Sequence, residues 1–200
     1  MARAKVVGEV VLKKVRLSFP KLWKKEAATE DATPKYGASF LMDPNTPEGK
    51  ANIRACREAI KAVQEDKFKK VVKLKPGREG LMDGEECISD NTGEPYSGYE
   101  GMMVVAAKNG NKFPIVDRSR RPLDEEDGVI YAGCYVNAVI RFYGVDDPKR
   151  GGKGVFASLE AIQFHSDGEA FGAGAIDVDD YFDEFEDEES YEDGDDDGLV

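Results

Sequence analysis

The residues most able to do chemistry lie in one run, YAGCYVNAVIRFY at 131–143. Its even positions, Ala132, Cys134, Val136, Ala138, Ile140 and Phe142, are all apolar. Its odd positions include Tyr131, Tyr135, Asn137, Arg141 and Tyr143. Successive side chains of a strand point to opposite faces, so the run predicts one core face and one aromatic, polar and cationic face. Rings beside cations suit single-stranded nucleic acid. Bases stack on the rings and phosphates meet the cations, with about 1–3 kcal/mol per stacked base whatever the sequence. The same face also suits plain solvated sheet, because tyrosine favours strands and its hydroxyl tolerates water.

Further cations cluster around this run. Lys14 and Arg16 share the polar side of an alternating stretch whose other side is Val15, Leu17 and Phe19. Trp23 follows among Lys21, Lys24 and Lys25, where an indole reads either as a stacking platform or as a core residue. Lys112 and Phe113 lead into Arg118, Arg120 and Arg121, and Lys149, Arg150 and Lys153 surround two glycines. Phe156 stands on the outer side of a further alternating stretch. Glycines at such a turn let backbone approach a phosphate, but no phosphate-loop or dinucleotide motif is present.

The charge balance gives these cations meaning. The chain of 200 residues carries 28 Lys and Arg against 40 Asp and Glu, a net charge of −12. Residues 166–200 hold sixteen of the acids and no Lys, Arg or His, so residues 1–165 are mildly basic. We therefore expect a binding domain over 1–165 and a flexible acidic tail over 166–200. The tail is too charged to bury enough apolar surface to order itself. It admits three readings: a solubilising appendage, a metal site, or a competitor for the basic surface. Asp193, Asp195, Asp197 and Gly198 imitate the start of a calcium loop, but its twelfth ligand would fall beyond Val200. Phe171, Tyr181, Phe182, Phe185 and Tyr191 alternate with acids and so imitate both bases and phosphates. A flexible chain of this length reaches roughly 30–35 Å, enough for its own groove or a neighbour's, which admits a homodimer.

Other functions are disfavoured. His165 is the single histidine, no nucleophile motif appears, and the predicted strands hold almost no acid outside Glu9 and Glu160. A metal nuclease needs carboxylates on rigid strands, so we expect neither enzyme, metal nor cofactor. Cys56, Cys87 and Cys134 are widely spaced without a CxxC pair, which reads as reduced thiols in a cytoplasm. No signal peptide or membrane-spanning stretch is evident.

The elements that position these residues follow from pattern. Alternation predicts a bent strand over 5–19 ended by Pro20, then strands at 35–43, 101–109, 131–143 and 155–164. Thr46-Pro47-Glu48 is a helix start, and Ile53, Cys56, Ile60 and Val63 recur at helical spacing, predicting one helix over 47–68. Residues 144–154 and 165–175 read as a flexible loop and a linker.

The segment 131–164, with its YAGCYVNA and GGKGVFASLEAIQF runs, resembles the phage single-stranded-DNA-binding proteins. KYGASFLMD with the following helix and KNGNKFPIVD at 108–117 are similar to that family as well. The resemblance implies a mainly β, OB-fold-like antiparallel barrel with one long helix. It also implies sequence-tolerant single-strand binding in phage DNA replication or recombination, in the cytoplasm of the host. The tail would compete for the groove, contact replication or recombination proteins, or both. A second reading makes the chain a DNA mimic or acidic interaction protein acting through its tail, with residues 1–165 as scaffold.

Overall fold

An 18-residue strand, β1 (Glu9–Glu26), is the spine of the molecule. The computed structural model describes residues 6–27, 30 and 32–172, and the statements below concern these. β1 is long enough to serve two neighbours. Its first half pairs antiparallel with β6 (Tyr135–Asp147), and its second half with β2 (Lys35–Met42). Register shifts between Leu12 and Val15 and between Ser18 and Lys21 bend it around the barrel. Each shift contains a residue in left-handed backbone, Lys14 (φ 48) and Phe19 (φ 46). That conformation costs about 1–2 kcal/mol for a residue with a Cβ, so the surrounding pairing must impose it. Pro20 does not end the strand. It sits beside the second bulge, where a missing N–H donor is tolerated, and β1 continues to Glu26.

Three further pairings complete the barrel. β4 (Met103–Asn109) pairs antiparallel with β2, and β7 (Gly152–Ser166) pairs antiparallel with β6. Parallel pairing of Ala107 and Lys108 with Ala157 and Ser158 joins β4 to β7 and closes a five-stranded OB-type barrel. Two short strands, β3 (Met82–Asp83) and β5 (Ile115–Val116), extend β4 and β7. Leu12, Val15, Leu17, Phe40, Val105, Val136, Ile140 and Leu159 fill the interior and are at most 1% exposed.

The helix α1 (Pro47–Phe68) stands between the second and third barrel strands, with the ends that the capping pattern predicts. Thr46 Oγ1 accepts the Gly49 N–H at 3.0 Å, and Lys69 closes the other end in left-handed backbone. Ile53, Cys56, Val63 and Phe68 are buried against the barrel. Asn52 is buried as well: its Oδ1 accepts Lys13 N–H at 3.0 Å, and its Nδ2 donates to Lys13 O at 2.8 Å. One helical amide thus satisfies both backbone groups that the first bulge takes out of the ladder.

Three segments differ from their reading in the sequence. β6 begins at Tyr135, because Gly133 (φ 107) turns the chain just before it; inside-outside alternation from Cys134 to Phe142 is as expected. Residues 144–154 are no loop. β6 and β7 stay paired to Asp147 and Gly152, with only Pro148–Arg150 as a 3-10 turn. Arg78 clamps this hairpin, donating to Lys153 O at 3.2 Å and Gly152 O at 2.9 Å, with its guanidinium 5.0 Å over Phe156. His165 and Ser166 belong to β7, and residues 167–172 lie back on the barrel. The rest of the tail, with its aromatics from Tyr181 onward and its calcium-like ending, lies outside the described residues. Among the described residues no helix is long and apolar enough to cross a membrane.

Candidate nucleic-acid interface

Strand register sets which outward side chains stand together. On the outer face of β1, β2 and β4, Arg16, Leu41 and Val104 form one row. Ser18, Ser39 and Ala106 form the next, and Lys21, Gly37 and Lys108 a third. Glycine, serine and alanine therefore floor the middle of the face, which stays low on its β2–β4 side, while a tyrosine of the loop before β4 covers its Ser18 end. The result is a trough of about 330 Å³ lined by Phe19, Lys21, Lys35 and Lys108 among others.

Phe19 is the exposed ring of this trough, 46% accessible. A bulge re-aims a side chain, and the left-handed Phe19 lifts its ring off the sheet. Tyr96 meets it edge-on at 4.8 Å, and Tyr99 lies 6.3 Å away. Both tyrosines come from the long loop between β3 and β4. Tyr99 is buried over the β1–β2 face, its hydroxyl facing Ser18 and Ser39 without closing a well-formed hydrogen bond. Burial pushes its phenol pKa up, opposed by the two serine hydroxyls.

The cations differ in what they already hold. Lys21 pairs with Glu26 at 2.8 Å, an exposed contact of the kind worth at most about 1 kcal/mol. Lys35 and Lys108 make no ion pair among the described residues. Lys108 stands opposite Ser158, which stands opposite Arg141, so the third row continues around the barrel. Tyr143 and Phe156 lie next to it, their rings 6.2 Å apart. A cleft lined by Lys35, Lys108, Arg141 and Tyr143 joins this side to the trough. At the other end Tyr135 stands opposite Arg16. The two ends of the β6 face therefore flank the trough, while its middle does not. There Asn137 bonds the Lys14 N–H at 3.0 Å and Gln163 at 3.1 Å, and Val139 faces Val11.

The remaining residues singled out from the sequence are scattered. Trp23 packs against the core, so of its two readings the structure favours the core one. Phe113 packs there too, with Tyr36 edge-on at 6.1 Å, and Lys112 is exposed beside it. Lys24 is exposed and Lys25 lies 5.6 Å over the Tyr36 ring. Arg118 donates to His165 O at 2.8 Å, Arg120 is exposed in left-handed backbone, and Arg121 pairs with Asp117 at 2.9 Å. The Arg121 amide, with its guanidinium, holds the Asp117 carboxyl below the usual range. On the β6–β7 hairpin, Arg150 pairs with Asp147 and Lys153 with Asp146, while Lys149 is exposed. Arg141 pairs with Glu160 at 3.2 Å. Tyr131 is half-buried, and its hydroxyl is taken up by Asp167 and Gly168.

Sequence reasoning missed Phe19, Tyr96, Tyr99, Lys35 and Lys108. Alternation without the bulge assigned Phe19 to the core face beside Leu17. The tyrosines sit in a Gly- and Pro-rich loop whose docking has no local pattern. Among the described residues no group of His, Cys, Asp and Glu could hold a metal ion.

Known proteins of this shape carry a consistent description. The sequence model of the family "Enterobacter phage Enc34, ssDNA-binding protein" matches residues 8–193. Protein p50 of Acyrthosiphon pisum secondary endosymbiont phage 1 is 35% identical over 176 residues, covering 84% of this chain and 89% of its own. The single-stranded DNA-binding protein of bacteriophage Enc34, solved in complex with ssDNA, is 25% identical with a TM-score of 0.69. That alignment covers 85% of this chain and 97% of the Enc34 chain. The single-stranded DNA-binding protein gp2.5 of bacteriophage T7 shares the fold, with a TM-score of 0.51 at 13% identity over 91% of this chain and 98% of its own. The barrel, its helix and the extent of the match place this chain in the Enc34 phage ssDNA-binding protein family.

Proposed function

We propose that this chain is a non-enzymatic single-stranded-DNA-binding protein that takes the strand, whatever its sequence, along the trough over β1, β2 and β4. The observation that carries the reading is the trough itself. Its floor is small enough for flat bases, one exposed ring stands at its rim, and Lys35 and Lys108 have no carboxylate partner among the described residues. Stacking on Phe19 needs no particular base, and the lysines read only phosphate. From Lys108 the strand continues toward Arg141 and Tyr143, where phosphate would compete with Glu160 for the arginine. Membership in a family named for ssDNA binding supports this reading, as does the Enc34 protein solved with ssDNA.

The setting is phage DNA replication or recombination in the host cytoplasm, in keeping with three free thiols. The acid-rich end of the chain competes with DNA for the basic trough and offers a surface to replication or recombination proteins. The test is a titration of the full chain with fluorescent oligo(dT) and with duplex of equal length. We expect tighter binding to the single strand and a steep salt dependence. If residues 1–172 alone bound no oligo(dT), the trough would be scaffold, and the DNA-mimic reading would replace this one.

A further inference from the structure

Residues 167–172 leave β7 and cross the end of the trough that Arg16 occupies. Gly168 N–H donates to the Tyr131 hydroxyl at 3.1 Å. That hydroxyl lies 3.1 Å from Asp167 Oδ1 and 2.9 Å from Gly168 O, and can donate to one of them. Phe171 N–H donates to Ala132 O at 2.9 Å. Glu169 O accepts from Arg16 Nη2 at 2.8 Å, and the Phe171 ring centre lies 4.0 Å from the Arg16 guanidinium carbon. The ring rests on Leu41, Tyr99 and Val104. Two glycines make room for this strap: a Cβ at Gly98 would collide with the Phe171 ring, and one at Gly133 with the Glu169 carbonyl.

A flat ring against a guanidinium with an oxygen at Nη2 is also what a nucleotide would make of this seat. The strap fills it imperfectly. Arg16 Nε is buried and has no acceptor, and Nη2 meets an uncharged carbonyl. A phosphate would offer oxygens to both nitrogens in charge-assisted bonds, while its base took the place of the ring. We propose that the seat formed by Arg16, Leu41, Tyr99 and Val104 is a nucleotide subsite of the trough. Phe171 occupies it in the free protein, and the strap must lift before a strand can use it. Asp43, Glu48 and Asp167 line the adjoining cleft beside Lys14 and turn phosphate away from that side. The strand therefore leaves the seat on the other side, toward Phe19 and the trough floor of Gly37 and Ala106. This deepens the single-strand reading and rests on it. It differs from competition by the tail's charge, because what meets Arg16 is one ring and one backbone carbonyl.

The test keeps every charge. The full chain with Phe171→Ala is titrated with fluorescent oligo(dT) beside the wild type. Removing the competing ring should tighten binding by about 2- to 30-fold, the range of one cation–π contact. The slope of log affinity against log salt should not change. Unchanged or weaker binding by the variant overturns the proposal while leaving the trough standing. No binding by either protein overturns the single-strand reading and the strap with it. Hydrogen exchange on the wild-type chain gives a second readout. Saturating oligo(dT) should speed exchange at the Gly168 and Phe171 amides, and slower or unchanged exchange refutes lifting.

Discussion

Replacing Phe19 by glycine separates the ring's work from its share in the fold. In stability, three effects oppose one another. Glycine relieves the left-handed strain at φ 46, about 1–2 kcal/mol. It also loses the edge contact with Tyr96, about 0.5–1.5 kcal/mol, and frees the unfolded backbone by about 0.5–1 kcal/mol. The sum lies between about −1.5 and +1 kcal/mol, so Tm should move by no more than about 6 °C. Binding has no such compensation. Losing one stacked base costs about 1–3 kcal/mol, or roughly 5- to 150-fold in Kd. The assay is anisotropy of labelled oligo(dT) at one fixed salt concentration, with thermal melts of the same preparations. Phe19→Ala serves as the companion, since it loses the ring and keeps the strain. It should match glycine in DNA affinity and melt lower. If Phe19→Gly binds like the wild type, the ring is not a platform. If it unfolds the protein, Phe19 is a packing residue and the strain argument fails.

Lys35→Gln and Lys108→Gln should each weaken binding to any sequence and flatten the salt slope by about 0.7, read from titrations across a salt series. Asn52→Leu should lower stability by about 2–4 kcal/mol in urea unfolding, because the Lys13 N–H and C=O both lose their partner in a half-buried bulge. Burial pushes the Cys56 thiol pKa up from 9.0 to about 12, so it stays protonated in the fold where the unfolded chain would ionise. Its contribution to stability is therefore intact below pH 9 and fades as pH rises toward 12, which alkaline urea titrations of the protein and its Cys56→Ala variant should show as a difference in slope. At pH 8 a thiol reagent should find half-buried Cys87 first and reach Cys56 and Cys134 only on unfolding, as peptide mapping of labelled protein would show.

Local pattern carried much of the fold. The helix declares itself through Thr46, Pro47 and the Ile53–Cys56–Val63 spacing, and the core face of β6 through strict alternation. What stayed hidden depends on contacts between distant residues. Pro20 beside Phe19 reads in sequence as a strand end, and it marks a bulge instead only because β1 has to bend between β6 and β2. Alternation counted through that point puts every later outward residue on the wrong face. Arg150 and Arg121 looked like phosphate ligands, yet each has a carboxylate within four residues to fold back on. The reading of β6 as the binding face picked out Tyr135 and Tyr143, which the fold places at either end of the proposed trough. It passed over the middle rows of the trough, where Gly37, Ser39 and Ala106 carry neither charge nor ring.

That scarcity is itself the design of the trough. A sheet that binds flat bases from above must not fill the space with its own side chains, so its floor is Gly37, Ser39 and Ala106. Affinity has to come from the rim, and rim residues are contributed by bulges, strand ends and a docked loop. Such a site has little pattern in sequence because only the few side chains over its middle rows are small. The same openness explains why the chain covers one end of the face with its own Phe171. That ring adds to the cover that Tyr96, Tyr99 and Met102 give Leu41 and Val104 beside the arginine, and so trims an apolar patch that would invite association with other molecules. The strap and the strand then answer one need at different times, and whichever leaves the seat exposes it to the other.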